Sequence, residues 1–389
     1  YQGASGHLYL QDTKVNDGHI TGAGQVNGGC IATQGSLTLN NVEVYECSAT
    51  TTGLSTDMPA PRAFGGGVYA ATGLTISGHS LLDNNTVTAA NSNVRAQGGC
   101  AETPGTFDMR DSIVARCYAN GSRARGGALE LKGAVVTITG SVIAKSYSNY
   151  IGGVDINSTT PSAVTATISN STIAYNHANK LVGGLYAIAG HVNINNSTIV
   201  FNTAGSSTYT YNTKTYYAAP GVEVTSYLST ALSLQSTIIA NNTISNGTQV
   251  DLSTGAKLHS GTTITGSNNL VRAYLTDVTL PSGQGNLAKG TCPKLGHARN
   301  NGGSTYTFAP QSGSPVIDAG NNTAIDPRSL PPPPGAPAVY DQRGGPTPPP
   351  IAQPPDGYPR VSGPSADIGA HEVQKSDIVY YTEFETGCE

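Results

Sequence analysis

Residues 183–202, GGLYAIAGHVNINNSTIVFN, carry the pattern that decides the fold. A Gly-Gly pair leads into a short alternating segment, Val192-Asn193-Ile194, and then to an aliphatic residue with asparagine three positions further on. Working outward from this stretch, the same order recurs seven times. The positions after the glycine pair are Cys30, Gly67, Cys100, Ala128, Val154, Leu185 and Val222, the last with Pro220 in place of the first glycine. The aliphatic positions are Val44, Leu81, Val114, Ile143, Ile173, Ile199 and Ile239. Three residues beyond them stand Cys47, Asn84, Cys117, Ser146, Asn176, Asn202 and Asn242. A further register, five before the aliphatic one, reads Leu39, Ile76, Met109, Ile138, Ile168, Ile194 and Leu234.

Repeats of 26 to 37 residues arise in helical arrays and in β-solenoids alike, and content separates the two. The segments between the glycines are rich in Thr, Val and Ile and alternate with period two, as strands do. Charged residues are only 11% of the chain, and good helix formers are scarce. The expectation is an all-β, right-handed parallel β-helix in which each copy is one coil, paired with the next at about 4.8 Å. Aliphatic registers then fill the bore, and the asparagine register bonds one coil to its neighbours from a turn. Residues 1–27 read as an incomplete N-terminal coil and 28–255 as a seven-coil body. Residues 256–389 read as the last coils followed by an irregular, proline-rich cap and tail.

The net charge is -4 and no basic cluster stands out, which argues against nucleic acid as a partner. No apolar run is long enough for a membrane-spanning helix. The chain opens directly at YQGASGHLYLQD, as an exported protein does after its signal is removed.

Cys30 and Cys47 occupy two registers of one copy, seventeen residues apart, and Cys100 and Cys117 occupy the same two registers of another. Every other copy lacks both, so the spacing predicts disulfides within a coil. Bridges between these copies would span two coils, about 9–10 Å, too far for a disulfide. Buried thiols in the bore are the alternative, and no His or acidic residue lies at metal-ligand spacing, so neither metal nor cofactor is expected. Cys292 and Cys388 remain, and their pairing would tie the tail to the body. Such bridges imply an extracellular or cell-surface location.

Between Asn202 and Val222 a loop carries Tyr209, Tyr211, Tyr216 and Tyr217, side chains suited to sugar rings or to a protein partner, or simply to packing on the coils. Near the C-terminus Asp318, Asp341, Arg343, Arg360, Asp367 and Glu372 concentrate charge in a chain otherwise poor in it. They are expected to form a structural cap that closes the last coil. Proline runs at 331–334 and 348–350 suggest extended polyproline segments.

Catalysis on polysaccharides, common among β-helices, needs two carboxyl groups across a sugar. Acidic residues are sparse in the repeats. Asp155 and Glu223 share the register one after the repeat's Gly-Gly-x, two coils apart, about 10 Å. The motifs of polygalacturonases are missing.

The glycine-pair copies, STIAYN, STIVFN and STIIAN in the last three, and the ordered run PKLG, NNGG, GSPVIDAGN, DQRG and ADIGAHE resemble bacterial choice-of-anchor Q domain proteins. More loosely, the coils are similar to the repeats of chlamydial polymorphic outer membrane proteins. The resemblance implies an exported, cell-surface β-helix and carries over no catalytic residue. The resulting expectation is a non-enzymatic extracellular structural or adhesive protein, in one form a filament subunit assembling head-to-tail with itself. A surface glycan or protein is the other class of partner. The alternatives are a polysaccharide lyase or glycoside hydrolase acting through Asp155 and Glu223, and a glycan-binding module using the tyrosine loop.

Overall fold

The computed structural model describes residues 6–57, 59–158, 160–206, 208–211, 214–217, 219–225, 230–255, 262–322, 340–343 and 359–374. They form a parallel β-helix. One coil shows the path. The corner strand Arg95–Gln97 leads through Gly98-Gly99 to face one (Ala101–Thr103), face two (Thr106–Arg110), face three (Ile113–Ala115) and face four (Tyr118–Asn120). Each strand pairs in parallel with its equivalents in the adjoining coils. Face one holds eight strands, from Ile31–Thr33 to Leu252–Ser253, and face four holds eight, from His19–Gly22 to Thr243–Ile244. Faces two and three merge into one sheet because His7–Asn16 and Ser36–Tyr45 continue through the corner between them without a break. Among the described residues, 6–27 contribute faces two, three and four and the corner strand of a first coil.

Alternation decides what is buried. Leu39, Ile76, Met109, Ile138, Ile168, Ile194 and Leu234 stack up the bore with no exposed surface. At about 25 cal/mol per Å² of apolar surface removed from water, this continuous column is the main stabilising term. The corners turn on residues with positive φ, mostly Asn, Asp or Gly, for which that region costs least. Tyr175 and Phe201 are exceptions. Their rings stack at 5.4 Å and continue onto Phe308 at 5.5 Å from Phe201, contacts that offset the strained backbone.

Two registers differ from the sequence expectation by one residue. Leu82, not Leu81, pairs with Val44 and Val114, and Asn85, not Asn84, joins the asparagine ladder. The corner before them carries an extra residue, with Gly78 and His79 both at positive φ. On face one, Ile31, Val68, Ala101 and Leu129 align with Val154, Leu185 and Val222. The glycine pair thus sits one position further from the strand in the first four copies than in the last three.

The asparagine ladder runs as expected. The Asn176 backbone N–H donates to Asn202 Oδ1 at 3.0 Å, and that of Asn202 to Asn242 Oδ1 at 2.9 Å. Their Nδ2 groups donate to the carbonyls of Ile143 and Ile173, both at 3.0 Å. Buried polar groups are thereby satisfied between coils. The residue facing each asparagine must be glycine: a Cβ on Gly184 would lie 3.0 Å from Asn202 Nδ2, and one on Gly221 2.7 Å from Asn242 Nδ2. Where cysteine replaces asparagine, cysteine also replaces the facing residue. Cys30–Cys47 and Cys100–Cys117 are disulfides with Cα atoms 5.6 and 5.3 Å apart, and the cysteines therefore come in pairs. Cys292 is disulfide-bonded, and Cys388 lies outside the described residues.

Among the described residues, the charged cluster of the C-terminal region does not sit at the end of the solenoid, where the sequence expectation placed it; residues 274–280 do. Val278 joins the bore cluster, Tyr274 and Leu280 pack against that cluster, and Tyr274 bridges to Leu252 of the last face-one strand. The following chain folds back along the outside of face three. There Leu295, Phe308, Val316 and Ile368 cover Ala174, Val200, Ile238 and Leu270. Gln342 accepts from Thr172 Oγ1 at 2.6 Å, the Ala370 N–H donates to Thr198 Oγ1 at 3.0 Å, and Arg360 Nη2 donates to Asn196 Oδ1 at 3.1 Å. The charged residues do come together. Arg343 pairs with Asp341 at 2.8 Å, Asp367 accepts from the N–H groups of Asp318 and Val373, and Glu372 accepts from those of Ser362 and Asp367. They brace a flank rather than cap an end, because the apolar surface that needed covering lies on the outer side of face three.

Candidate functional site

Along face one the inward positions, such as Ala101, Leu129, Val154 and Leu185, belong to the bore. The next residue points outward, and in successive coils these residues are Tyr69, Glu102, Glu130, Asp155, Tyr186 and Glu223. Asp155 and Glu223 thus share a register across Tyr186, as expected from sequence. Glu102 and Glu130 extend the same row. They were missed because the one-residue offset in the early copies moves them to the second position after the repeat's small residue.

Outward does not mean exposed here. Glu102, Glu130, Asp155 and Glu223 are 2%, 0%, 0% and 3% exposed. The strands Arg62–Phe64 and Arg95–Gln97, with Arg125 continuing their line, precede and flank face one. Arg125 holds Asp155 through two bonds, the longer 3.2 Å, and stacks its guanidinium 5.3 Å above the Tyr186 ring. Lys132 binds Glu102, lies 3.8 Å from Glu130 and sits 4.9 Å over the Phe64 ring. Gln97 Nε2 donates to Glu130 Oε1 at 2.6 Å. Lys132 is two residues beyond Glu130 on the same strand line, a legible signal once Glu130 is placed outward.

Burial controls the protonation of the row. It raises Glu102 to about 7 against the pull of Lys132, and Glu223 to about 8, with Asp277 adding to the rise. Burial also lifts Glu130 well above the carboxylic range, helped by the charge on Asp155. For Arg125, burial opposes the charge but Asp155 outweighs it, and the net shift is upward. At neutral pH the row therefore holds the Arg125–Asp155 ion pair, Glu102 near its midpoint beside Lys132, and two carboxyls held neutral. A neutral carboxyl tolerates the unpartnered Oε2 atoms of Glu130 and Glu223 far better than a carboxylate would.

Glycoside cleavage needs an acid and a base or nucleophile open to a bound sugar. Glu102, Glu130 and Asp155 lie beneath Arg125, Lys132, Gln97 and two aromatic rings, and Glu223 is buried as well. Among the described residues no group of His, Cys, Asp and Glu is arranged to hold a metal ion. Of the tyrosine loop, Thr208–Tyr211 and Lys214–Tyr217 form an antiparallel hairpin, and the side chains of Tyr209, Tyr211, Tyr216 and Tyr217 lie outside the described residues. A separate apolar groove of about 400 Å³ follows the outside of face three, lined by Leu81, Ile113, Val142, Tyr175, Tyr306 and Phe308. Among the described residues no helix is long and apolar enough to cross a membrane. No family model, curated protein or solved structure matches the chain.

Proposed function

We propose that the protein is a non-catalytic, extracellular structural or adhesive β-helix, a rigid rod that binds through its sides. One observation carries this reading: the row of acids best placed for chemistry is buried and either ion-paired or neutral. The two disulfides within the bore suit an oxidising compartment, where they stay closed. Binding along the sides is favoured over head-to-tail stacking because Val278 and Leu280 occupy the bore end that a second copy would need.

Turnover of a panel of acidic and neutral polysaccharides tests the proposal, read as new reducing ends and as unsaturated ends. The expected result is no release above the buffer control. Release that disappears in Asp155→Asn would overturn it.

A further inference from the structure

Three arginines stand in consecutive coils at the edge of the acid row. Arg62 and Arg95 are direct partners in the corner sheet, and Arg123 lies at the equivalent position of the next coil, two residues before the bridge between Gln97 and Arg125. All three are exposed. Successive side chains in one register are about 4.8 Å apart. Like charges at that spacing repel, and the nearest acids, Glu102 for Arg62 and Glu130 for Arg95, attract them without a direct contact. None of the three side chains donates a hydrogen bond or forms an ion pair with a described residue. The nearby acids are already taken, Asp155 by Arg125 and Glu102 by Lys132. Lys180, exposed and set 4.5 Å over the Tyr150 ring two coils beyond Arg123, carries the positive line further.

In a chain with 20 basic residues and a net charge of -4, an unpaired file of cations on one edge is a feature to be explained. A structural role for each arginine would show as bonds to carbonyls or carboxylates, as it does for Arg343. A guanidinium instead offers a planar fork matched to a carboxylate, and three in file offer one fork per coil. The geometry points to a docking track for an extended acidic polysaccharide with one carboxylate per sugar, lying along the solenoid axis. The coil rise of about 4.8 Å presents one guanidinium per step, so carboxylates borne on the facing side of such a chain meet Arg62, Arg95 and Arg123. Single-stranded nucleic acid spaces its charges more widely and draws on aromatic platforms for its bases, which the three track positions do not supply. The inference rests on the surface-binding reading above and names its ligand class.

The test uses the whole chain with three probes: polygalacturonate, neutral dextran and oligodeoxythymidylate. Binding is measured by calorimetry over a salt series, beside the triple variant R62A/R95A/R123A and the control K145A at the corner of faces three and four. The expected result is binding of polygalacturonate alone, weakening with salt at a log–log slope of about two for three contacts. The triple variant should melt as wild type does and bind about ten- to a hundredfold more weakly, with K145A unchanged. Absence of polygalacturonate binding, equal binding by the triple variant, or tighter binding of oligodeoxythymidylate would each overturn the track. The same samples are assayed for unsaturated and reducing ends. Binding accompanied by cleavage would leave the track standing and sink the non-catalytic reading, whereas absence of both would sink the track alone.

Discussion

Raising the pH from about 5 to about 9 is expected to cost the protein several kcal/mol of unfolding free energy, the reverse of the usual carboxylate behaviour. The buried acids set the sign. Glu102 and Asp251 are raised to about 7 and Glu223 and Glu372 to about 8, in each case chiefly by burial. A group whose folded pKa lies above its unfolded value binds more protons when folded. Its contribution is fully present below the unfolded value and is lost as pH rises through the folded one. The window therefore runs from about 4.5 to about 8, with each group steepening the fall by up to about 1.4 kcal/mol per pH unit. Glu223→Gln keeps the shape of the neutral acid and should flatten the curve, gaining stability over wild type at pH 8–9 and little at pH 5. Urea unfolding across this range measures it. Stability that is level or rises from pH 5 to 9 would show that these carboxylates are solvated and ionised in the folded protein.

The second large effect is expected at Arg343. Its side chain and that of Asp341 are both fully buried, joined by Nε at 2.9 Å and Nη2 at 2.8 Å to the same carboxylate oxygen. Arg343 also donates to the carbonyls of Asn301 and Glu372, which ties three segments of the flank together. Arg343→Met removes the cation and leaves the Asp341 charge in a dry site, where loss of one partner costs about 3–5 kcal/mol. The double change D341L/R343M should recover much of that loss, since replacing both partners avoids the stranded charge. Because the flank covers Val200, Ile238 and Leu270, the single variant should also bind a hydrophobic dye before the bore unfolds. A loss below about 1 kcal/mol would mean that apolar packing alone holds the flank.

The fold was legible because the bore imposes a strict repeat, and the cysteine pairing was legible for the same reason, since both positions of a facing pair must change together. The acid row was not. A single extra residue in the early coils shifts Glu102 and Glu130 against Asp155 and Glu223, and in strands a shift of one reverses the side on which a residue lies. The salt-bridging role of Arg125 was hidden as well, since it reaches face one from the neighbouring corner line rather than along its own strand. The flank was misplaced at the end because charge alone does not say which surface it covers. A better signal was available on face three, where the outward residue changes from Asp83 in an early coil to Ala174 and Val200 in later ones. Apolar residues on the outside of a solenoid announce a cover.

The account turns on the acid row being closed to solvent, and carbodiimide labelling of carboxyl groups in the folded protein, mapped by mass spectrometry, tests this most directly. Exposed acids such as Asp12, Asp17 and Glu46 should label readily, while Glu102, Glu130, Asp155 and Glu223 should label only after unfolding. Labelling of Asp155 or Glu130 at rates near those of the exposed acids, with the fold intact, would reveal an open cleft and contradict the non-catalytic account.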